Sequence, residues 1–470
     1  MRPLSNLFDN ILPSEAILSD SFDLQSYGVD TCKNFRGSPS LVLLPSSTEQ
    51  IQQIIRQCAE NKIGVVPSGG RTGLCGGATA TNGEIILSLQ RMNTIINIDS
   101  DSRTITTQAG VTNQRINEAV APFGLVFPIH LGSWGSCHIG GNIATNAGGI
   151  HVIRYGHTRH WVLGLTVVTG DGTILRTGKN LYKDNSGYDL RSLFIGSEGT
   201  LGVITESTLA LAPKPKGLVR LLCSVSSISE SIPLLHNVMR HQVTVSAFEF
   251  FSEQAMEYVT RFRKLRDPFS RRHPYYVLIE IEGDSENLRE ILQEMFMEFL
   301  EEELIQDVVI AQTHKQSEEI MSLRESISET LSSEFTPHKN DISVPISAIP
   351  AFTEELQSLL SSKAPEYELI LFGHIGDGNI HLNWLKPEDE SEDVFFEKSA
   401  EIDQHVLELV VAKGGSISAE HGVGLLKKKA LHLGRSDTEI QYMKALKKVF
   451  DPAGIMNPGK IFDIEPSTKL

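Results

Sequence analysis

Cysteine is scarce in this chain, which has five among 470 residues and no CxxC motif. The five are odd in number and scattered: Cys32, Cys58, Cys75, Cys137 and Cys223. A chain of this length buries enough apolar surface to need no disulfide staples. The pattern suits a reducing cytoplasm, and it excludes an iron–sulfur cluster held by this chain alone.

Long apolar runs near the start of the chain and an excess of positive charge are also absent. The first twenty residues carry early acids and no unbroken apolar stretch, so they predict neither a secretory signal nor a membrane span. The formal net charge of −16 argues against a nucleic-acid partner. An anionic substrate would need local cations, because the overall field repels it. We therefore expect a soluble, cytoplasmic protein.

Two textures divide the sequence, and a length of 470 residues predicts two or three domains. Residues from about 40 to 215 alternate between strand-like and helix-like segments and are rich in glycine, which indicates α/β structure. Within them, Ile51, Ile54, Ile55 and Cys58 have helical spacing. From about 217 a strand–helix–strand order occurs twice, which suggests a ferredoxin-like domain with one antiparallel sheet.

Three glycine-rich segments lie in the first half of the chain. They are VVPSGGRTGLCGG at 65–77, GSWGSCHIGGNIATNAGG at 132–149 and LFIGSEGTLGVITE at 193–206. Glycine permits the backbone geometry that points several N–H groups at one anion, and the second segment adds Asn142, Thr145 and Asn146 as side-chain donors. One such segment is equally well explained as a tight connection, but three suit a long, diphosphate-bridged ligand better. No GxGxxG opens a helix, so a Rossmann nicotinamide site is not supported.

The motifs PSGGRTGLCGGA, IGGNIATNAGG and GSEGTLGVITE resemble the FAD-binding domain of flavoproteins of the vanillyl-alcohol-oxidase, or PCMH, type. The resemblance implies that the first segment cradles the FAD diphosphate and that the later ones flank the isoalloxazine and adenine. It assigns FAD contacts to Ser68, Gly69, Gly70, Arg71, Thr72, Gly73, Gly76, Gly77, Gly140, Gly141, Thr145, Gly148 and Ile204. Several relatives attach flavin through a histidine in the first segment. This chain has Arg71 and no histidine there, so non-covalent FAD is expected.

Two histidines flank a turn signal in LFGHIGDGNIHLNW, residues 371–384. If Asp377–Gly378 form a two-residue turn, His374 and His381 become direct cross-strand partners with β-carbons about 4.5–5.5 Å apart. Asn383 then points to the same face. Imidazoles at that separation can share a metal ion, although an ordinary pair of surface histidines would give the same pattern.

Glu420 and His421 are adjacent in SISAEHGVG. A carboxylate can bind a metal while a neighbouring imidazole exchanges protons. Two histidines and one carboxylate leave open positions on Zn²⁺ or Mn²⁺, as a catalytic site requires. The alternative is a glutamate that caps a helix beside a chance histidine.

The motifs GHIGDGNIH and SAEHGVG resemble the substrate domain of the D-2-hydroxyglutarate dehydrogenase and D-lactate dehydrogenase group. Together with the glycine-rich segments, the resemblance covers residues from about 40 to 460. It implies that His374, His381 and Glu420 hold a divalent metal, Zn or Mn, and that His421 is the catalytic base. It also places Asn457, in MNPGK, close to the flavin and the substrate.

The segment from 323 to 345 supplies Arg324, Ser328 and Lys339. Arg324 and Ser328 stand at i, i+4, which predicts one face of a single helix. An arginine can grip a carboxylate with two donors, and a lysine adds a point charge. Surface cations on an ordinary helix are the alternative. By resemblance these positions match residues that bind the substrate carboxylates; with Asn383 they favour a dicarboxylic D-2-hydroxy acid over lactate.

The sequence therefore predicts an α+β protein. We expect a PCMH-type FAD-binding domain of two α/β subdomains at 1–215 and a ferredoxin-like antiparallel domain that binds substrate and metal at 216–424. A small C-terminal helical segment at 425–470 should pack back on the FAD domain. The expected activity is FAD-dependent, metal-assisted oxidation of D-2-hydroxyglutarate or a similar acid to the 2-oxo acid.

Other activities stay open at this point. The nearest alternative is a D-lactate or glycolate dehydrogenase. A transferase like alkyl-glycerone-phosphate synthase would show a run of histidines where this chain has SAEHGVG. A flavin-binding protein without turnover is the third alternative. Without an iron–sulfur segment, electrons must leave to an external acceptor, either an electron-transfer flavoprotein or a quinone. The oligomeric state is open, a homodimer included.

Overall fold

The computed structural model describes residues 3–32, 34–241, 243–283 and 285–464. The chain divides into two compact units. Unit 1 comprises 1–149, 156–214 and 420–470, and unit 2 comprises 150–155 and 215–419.

This division departs from the boundaries expected from the sequence at two short stretches. Residues 150–155 belong to unit 2, because His151 and Tyr155 bond to Glu280 and Glu282 of that unit at 2.8 and 2.5 Å. Residues 420–424 belong to unit 1 together with the C-terminal segment.

The strands of the described residues are β1 Ile17–Leu18, β2 Leu41–Leu43, β3 Val65–Ser68, β4 Ile85–Ser88, β5 Ile95–Asp99, β6 Thr104–Gln108, β7 Leu125–Val126, β8 Val162–Thr169, β9 Ile174–Thr177, β10 Gly202–Ala210, β11 Ala212–Pro213, β12 Leu218–Val225, β13 Thr244–Ser252, β14 Tyr275–Glu282, β15 Asp307–Ile310, β16 Pro337–Ser343, β17 Glu368–His374 and β18 Asn379–Leu385.

The α-helices of the same residues are α1 Ser21–Tyr27, α2 Thr48–Asn61, α3 Asn113–Val120, α4 Ile139–Thr145, α5 Val152–Tyr155, α6 Arg191–Phe194, α7 Ser231–Arg240, α8 Glu253–Phe262, α9 Ser285–Glu301, α10 His314–Glu325, α11 Ile327–Glu334, α12 Ile349–Lys363, α13 Glu392–Ala412, α14 Leu431–Gly434 and α15 Asp437–Phe450. None of them is both long and apolar enough to cross a lipid bilayer.

Unit 1 contains two subdomains that combine helices with a sheet, as the PCMH-type resemblance implied. In the first, β2, β4 and β3 run parallel and β1 joins the edge antiparallel. The second is an antiparallel sheet in the order β5-β6-β10-β8-β9. Helix α2 confirms the helical spacing, since Ile51, Ile54, Ile55 and Cys58 are all buried. Its first turn is capped by Ser47, whose Oγ accepts the N–H of Gln50 at 3.2 Å.

Unit 2 is built on one antiparallel sheet in the order β15-β12-β14-β13-β17-β18-β16. Its first four strands in sequence, β12 to β15, lie in the order fourth, first, third, second, which is the ferredoxin-like arrangement expected from the repeated strand–helix–strand pattern. β17, β18 and β16 extend the sheet beyond β13. The α+β prediction is therefore confirmed.

One face of this seven-stranded sheet carries both an apolar core and a polar cluster. Phe251, Leu278 and Ile370 pack there against α8, α10 and α11. Side chains two residues apart on a strand share a face, so His374 and His381 point to the same side as this core. The polar groups that follow are therefore embedded in a rigid, well-packed layer.

Candidate active site

The first glycine-rich segment of unit 1 begins as strand β3, and its glycines follow Ser68, the last residue of that strand. Gly70 lies so close to the second segment that a Cβ there would collide with the carbonyl oxygen of Ser136, so glycine is required at this position. Arg71 has a positive φ of 58°, and its guanidinium lies 4.5 Å from the centre of the Tyr27 ring. Contacts within unit 1 thus fix this segment on both sides.

The other predicted FAD contacts lie in the same unit. Gly69, Thr72, Gly73, Gly76 and Gly77 belong to the loop between β3 and β4, Gly140, Gly141 and Thr145 to α4, Gly148 to the turn after it, and Ile204 to β10. Their contacts with FAD stay predictions.

All three polar side chains expected to act in the second segment form hydrogen bonds inside the protein. Asn142 Nδ2 donates to Asn113 Oδ1 at 2.9 Å, and Asn146 Oδ1 accepts the backbone N–H of Arg159 at 3.1 Å. The Thr145 hydroxyl donates to the carbonyl four residues earlier, at 3.1 Å. These groups shape the segment itself.

Asn457 fastens the first and third glycine-rich segments together. Its Nδ2 donates to the carbonyl oxygens of Gly77 at 2.9 Å and Glu198 at 2.6 Å. Its side chain is buried, and its Oδ1 has no hydrogen-bond partner among the described residues. The tail therefore reaches two of the glycine-rich segments, and the expected position of Asn457 close to the flavin and the substrate stays a prediction.

Glu198, which the sequence reading missed, holds the segment that carries Glu420 and His421. Its buried carboxylate accepts the N–H groups of Val423 and Gly424, each at 2.7 Å. Burial raises the pKa of Glu198, and these two hydrogen bonds oppose the rise. Glu420 itself accepts the N–H of Gly149 at 2.9 Å through Oε1. The GSEGTLG motif contains an indication of this role. An acid among glycines and small residues has few side-chain partners nearby, so it needs hydrogen-bond donors from elsewhere in the fold.

Unit 1 has buried polar atoms that a dinucleotide could satisfy. Within the described residues no hydrogen-bond partner is found for Ser68 Oγ, His138 Nδ1, Asn457 Oδ1 or Lys460 Nζ. Burial lowers the pKa of Lys460 to about 8, although Glu84 and Asp30 favour its charged form. Burial and the charge of Arg71 lower the pKa of His138. Buried groups of this kind require partners, and the phosphates, hydroxyls and ring heteroatoms of FAD offer them, so the residues fit this cofactor.

The histidine hairpin of unit 2 has a longer turn than predicted. Backbone pairing puts His374 opposite Asn379 and His381 opposite Phe372, so residues 375–378 form a four-residue turn. The prediction of a two-residue turn with the histidines directly opposite each other was wrong. A register shift of two residues keeps every side chain on its face, so the histidines are diagonal neighbours on one side of the sheet.

The turn is set by its own backbone and by a neighbouring segment. The Asp377 N–H donates to the His374 carbonyl at 3.1 Å, and Gly378 has a φ of 86°. A Cβ on Gly378 would collide with the carbonyl oxygen of Val344. The Asp-Gly signal located the turn correctly, but this packing against a distant segment fixed its length.

His374 and His381 present their Nε2 atoms to each other at 3.4 Å, with ring planes 81° apart. Two imidazole lone pairs at that distance repel unless a proton or a cation lies between them. With Zn–N bonds of about 2.0–2.1 Å and tetrahedral angles, two ligand nitrogens stand about 3.3–3.4 Å apart. The pair therefore fits one shared divalent ion.

A carboxylate that the sequence reading missed lies behind each histidine. His374 Nδ1 lies 2.8 Å from Oε1 of the buried Glu249. His381 Nδ1 lies 3.7 Å from Oδ1 of Asp341, which also accepts a hydrogen bond from Asn379 Nδ2 at 2.8 Å. A carboxylate at hydrogen-bond distance, as Glu249 is from His374, orients a metal-binding imidazole.

Arg324 and Ser328 lie on two helices rather than on the single helix predicted. α10 ends at Glu325 and α11 begins at Ile327. Ser326 between them has a ψ of −9°, far from the helical value of about −42°. The expectation of one shared helix face was therefore wrong.

The Arg324 guanidinium is buried beside Glu249 and Phe372. Its Nη2 lies 2.9 Å from Glu249 Oε2, and its Cζ lies 4.9 Å from the centre of the Phe372 ring. The ion pair is close but lacks hydrogen-bond geometry, since Nε and Nη2 have no hydrogen-bond acceptor among the described residues. Two buried donor atoms of this arginine can therefore serve a ligand.

Lys339 and Asn383 are register partners on β16 and β18. Lys339 Nζ donates to Ser332 Oγ at 2.6 Å and to Ser328 Oγ at 3.3 Å. Both serines therefore orient the lysine, and Ser332 makes the shorter hydrogen bond. Asn383 is buried, and its Nδ2 has no hydrogen-bond partner in the part of the chain that is described.

Six of the predicted site residues thus lie on one face of the sheet or on the helices packed against it: His374, His381, Arg324, Ser328, Lys339 and Asn383. Glu420 and His421 belong to unit 1. Their roles as third ligand and base stay predictions.

Comparison with known proteins agrees with this arrangement. Residues 39–178 match the family described as FAD binding domain, and residues 214–461 match FAD linked oxidases, C-terminal domain. The chain is 45% identical over 446 residues to D-2-hydroxyglutarate dehydrogenase of Stutzerimonas stutzeri (strain A1501), covering 95% of this chain and 96% of that protein. It is 43% identical to D-2-hydroxyglutarate dehydrogenase of Xanthomonas citri pv. viticola, covering 96% and 95%.

Solved structures with low sequence identity share the fold. p-Cresol methylhydroxylase with substrate bound superposes with a TM-score of 0.77 at 16% identity, covering 97% of this chain and 96% of that one. An alkyldihydroxyacetonephosphate synthase superposes with a TM-score of 0.73 at 15% identity, covering 96% and 84%. At such identities the likeness concerns the fold alone.

Proposed function

Because this chain belongs to the FAD-linked oxidases, in the family of the D-2-hydroxyglutarate dehydrogenases, we propose that it oxidises D-2-hydroxyglutarate or a similar D-2-hydroxy dicarboxylic acid to the 2-oxo acid. It is an FAD-dependent dehydrogenase. The observation that carries the choice of substrate is the set of buried, unsatisfied donors on one face of unit 2.

These donors suit a substrate with two carboxylates. Arg324 offers Nε and Nη2, Asn383 offers Nδ2, and Lys339 adds a cation held by two serines. Each buried donor left without an acceptor costs about 1–3 kcal/mol. D-Lactate has one carboxylate and would leave part of this set unpaired. These local cations would also attract an anionic substrate, which the net charge of −16 would otherwise repel.

Two groups complete the proposed enzyme. FAD is held non-covalently by the glycine-rich segments of unit 1, and a divalent ion, Zn or Mn, is held by His374 and His381 with Glu420 as the third ligand. When bound, the flavin accepts a hydride and the ion acts as a Lewis acid toward the substrate hydroxyl.

The chain itself positions the substrate and moves its proton. Arg324 and Lys339 orient the carboxylates, which fixes the C2–H bond in one direction. His421 accepts the proton of the 2-hydroxyl group. Glu198 holds the backbone just after His421 through two N–H groups, so the base stands on a segment with little freedom to move.

An external acceptor, an electron-transfer flavoprotein or a quinone, would take up the electrons of this oxidation. The cytoplasmic location and the homodimer considered from the sequence stay predictions.

Anaerobic mixing with a panel of hydroxy acids tests the proposal. The FAD-loaded protein is mixed with D-2-hydroxyglutarate, L-2-hydroxyglutarate, D-malate, D-lactate and glycolate, and the loss of oxidised-flavin absorbance is followed. D-2-Hydroxyglutarate should bleach the flavin fastest, and the L enantiomer should leave it oxidised. Faster bleaching by D-lactate or glycolate would assign the enzyme to those acids, and no bleaching by any acid would contradict dehydrogenase activity toward this class.

A further inference from the structure

Glu249 is a carboxylate in the interior of a strand, with its side chain inside unit 2. It lies near the middle of β13 in the apolar run AFEFF and is 1% exposed. An ionised acid in such surroundings is unfavourable unless it is paired. Its partners are His374 Nδ1, which lies 2.8 Å from Oε1 and 2.7 Å from Oε2, and Arg324 Nη2, which lies 2.9 Å from Oε2.

The contact with Glu249 determines which nitrogen of His374 carries a proton. A carboxylate can only accept, so the hydrogen must lie on Nδ1. The lone pair of the neutral ring is then on Nε2, the atom that faces His381 Nε2 at 3.4 Å. The Arg324 guanidinium lies beside the same carboxylate, with Nη2 2.9 Å from Oε2.

A second carboxylate on the same face provides the comparison that separates this role from simple packing. Glu280 of β14 pairs with Ala247, two residues before Glu249, so both acids point to one side of the sheet. Glu280 is equally buried, at 1%, and likewise lies between an arginine and a histidine.

The two acids differ in how far their hydrogen bonds are completed. Glu280 accepts from His151 Nε2 at 2.8 Å, Ser246 Oγ at 2.7 Å and Arg220 Nε at 2.7 Å. Glu249 Oε2 and the Nε and Nη2 atoms of Arg324 lack hydrogen bonds with good geometry among the described residues. A fully bonded cluster serves stability, whereas a cluster with open positions is arranged for a ligand.

Building on the metal of the proposed function, we propose that Glu249 is a positioning residue for that metal. It fixes the tautomer and the orientation of His374, and it couples this ligand to Arg324, the residue that orients the substrate. Outer carboxylates of this kind change metal affinity by about 10- to 100-fold.

The test measures metal affinity rather than turnover. FAD-loaded protein is freed of metal with a chelator and titrated with Zn²⁺ against a chromophoric competitor. Glu249→Gln removes the charge and keeps the shape, and Glu280→Gln is the matched control with the same burial and the same partner types. His374→Ala is the positive control for loss of a ligand.

We expect Glu249→Gln to raise the Zn²⁺ dissociation constant about 10- to 100-fold, and Glu280→Gln to leave it within about twofold of wild type. Wild-type affinity in Glu249→Gln would overturn the proposal while leaving the proposed function intact. An equal loss in both variants would also overturn it, because the effect would then belong to the sheet as a whole. If wild type itself binds no Zn²⁺ or Mn²⁺, the metal of the proposed function fails, and this inference fails with it.

A second variant covers the case in which Glu249→Gln does not retain FAD. Glu249→Asp keeps the charge beside Arg324 but withdraws the oxygens from His374 by one methylene. It should weaken Zn²⁺ binding by about 10-fold, and unchanged affinity would count against the proposal.

Discussion

Two buried Arg–Glu–His clusters lie side by side on one sheet of unit 2 and differ in completeness. The cluster of Arg220, Glu280 and His151 has each carboxylate oxygen of Glu280 bonded at 2.7–2.8 Å. The cluster around Glu249 has two arginine nitrogens and one carboxylate oxygen without a good hydrogen bond. The same three residue types therefore form a fully hydrogen-bonded structural cluster in one place and an incompletely bonded cluster in the other.

The difference shows that composition does not separate a structural ion cluster from a functional one. In the first cluster the histidine, His151, bonds to Glu280, whereas in the second His374 faces another histidine across 3.4 Å. Removing a partner from the closed cluster should affect stability. Removing one from the open cluster, around Glu249, should affect metal binding and flavin reduction.

The largest effect is expected when the histidine of each cluster is removed. His374→Ala should slow anaerobic flavin reduction by D-2-hydroxyglutarate about 10³-fold, or about 4 kcal/mol, because a metal ligand is lost. His151→Ala should slow it less than about threefold, since only a structural pair is broken. Stopped-flow absorbance of the flavin measures both rates. Equal slowing in the two variants would show that the two clusters do not differ in function.

The next effect concerns the response of the closed cluster to pH. Burial by itself would raise the pKa of Glu280, but the hydrogen bond and charge of His151 and the charge of Arg220 outweigh burial and lower the pKa to about 2 from 4.5. A lowered pKa contributes stability that is present above about pH 4.5 and is lost as the pH falls toward 2. The contribution is about 3 kcal/mol at neutral pH.

Urea unfolding at pH 7 and pH 3 checks this expectation. Wild type should lose about 2 kcal/mol more between these pH values than Glu280→Gln, which has no group to protonate there. An identical pH response in the two proteins would show that the closed cluster does not contribute to acid stability.

The smallest effect should come from the arginines. Arg324→Met should lower kcat/KM for D-2-hydroxyglutarate by about 10- to 100-fold, because charged hydrogen bonds of about 1.5–3 kcal/mol are lost. Its kcat/KM for D-lactate should change little. Arg220→Met should leave the ratio of the two substrates unchanged, although it weakens the fold. Steady-state kinetics on both acids provide the measurement, and an unchanged ratio in Arg324→Met would remove this residue from substrate recognition.

Local patterns predicted the elements and residue types of this protein, because they depend on neighbours in the chain. The buried face of α2 and the ferredoxin-like strand order follow from periodicity and from the order of segments. The length of the hairpin turn could not be read from Asp377–Gly378, because contact with the Val344 backbone, more than 30 residues earlier, decides it. The prediction that both histidines lie on one face of the sheet was nevertheless correct, because the pairing register is shifted by two residues and an even shift leaves each side chain on the same face.

The sequence shows that Glu249 and Glu280 are unusual, but it does not show which of them contacts a proposed metal ligand. Glu249 in AFEFF and Glu280 in LIEIE give the same signal, an acid inside an apolar strand. Only the sheet order and the packing of residues 150–155 on unit 2 place one beside His374 and the other beside His151. The break at Ser326 was likewise invisible, because the i, i+4 spacing of Arg324 and Ser328 is compatible with one helix or two.

Metal removal is the decisive test of metal-assisted oxidation. The FAD-loaded protein is dialysed against a chelator, and anaerobic flavin reduction by D-2-hydroxyglutarate is measured before and after Zn²⁺ or Mn²⁺ is returned. The metal-free protein should keep its flavin but reduce it at least about 100-fold more slowly, with recovery on adding metal. Equal rates with and without metal would show that the oxidation does not need a metal.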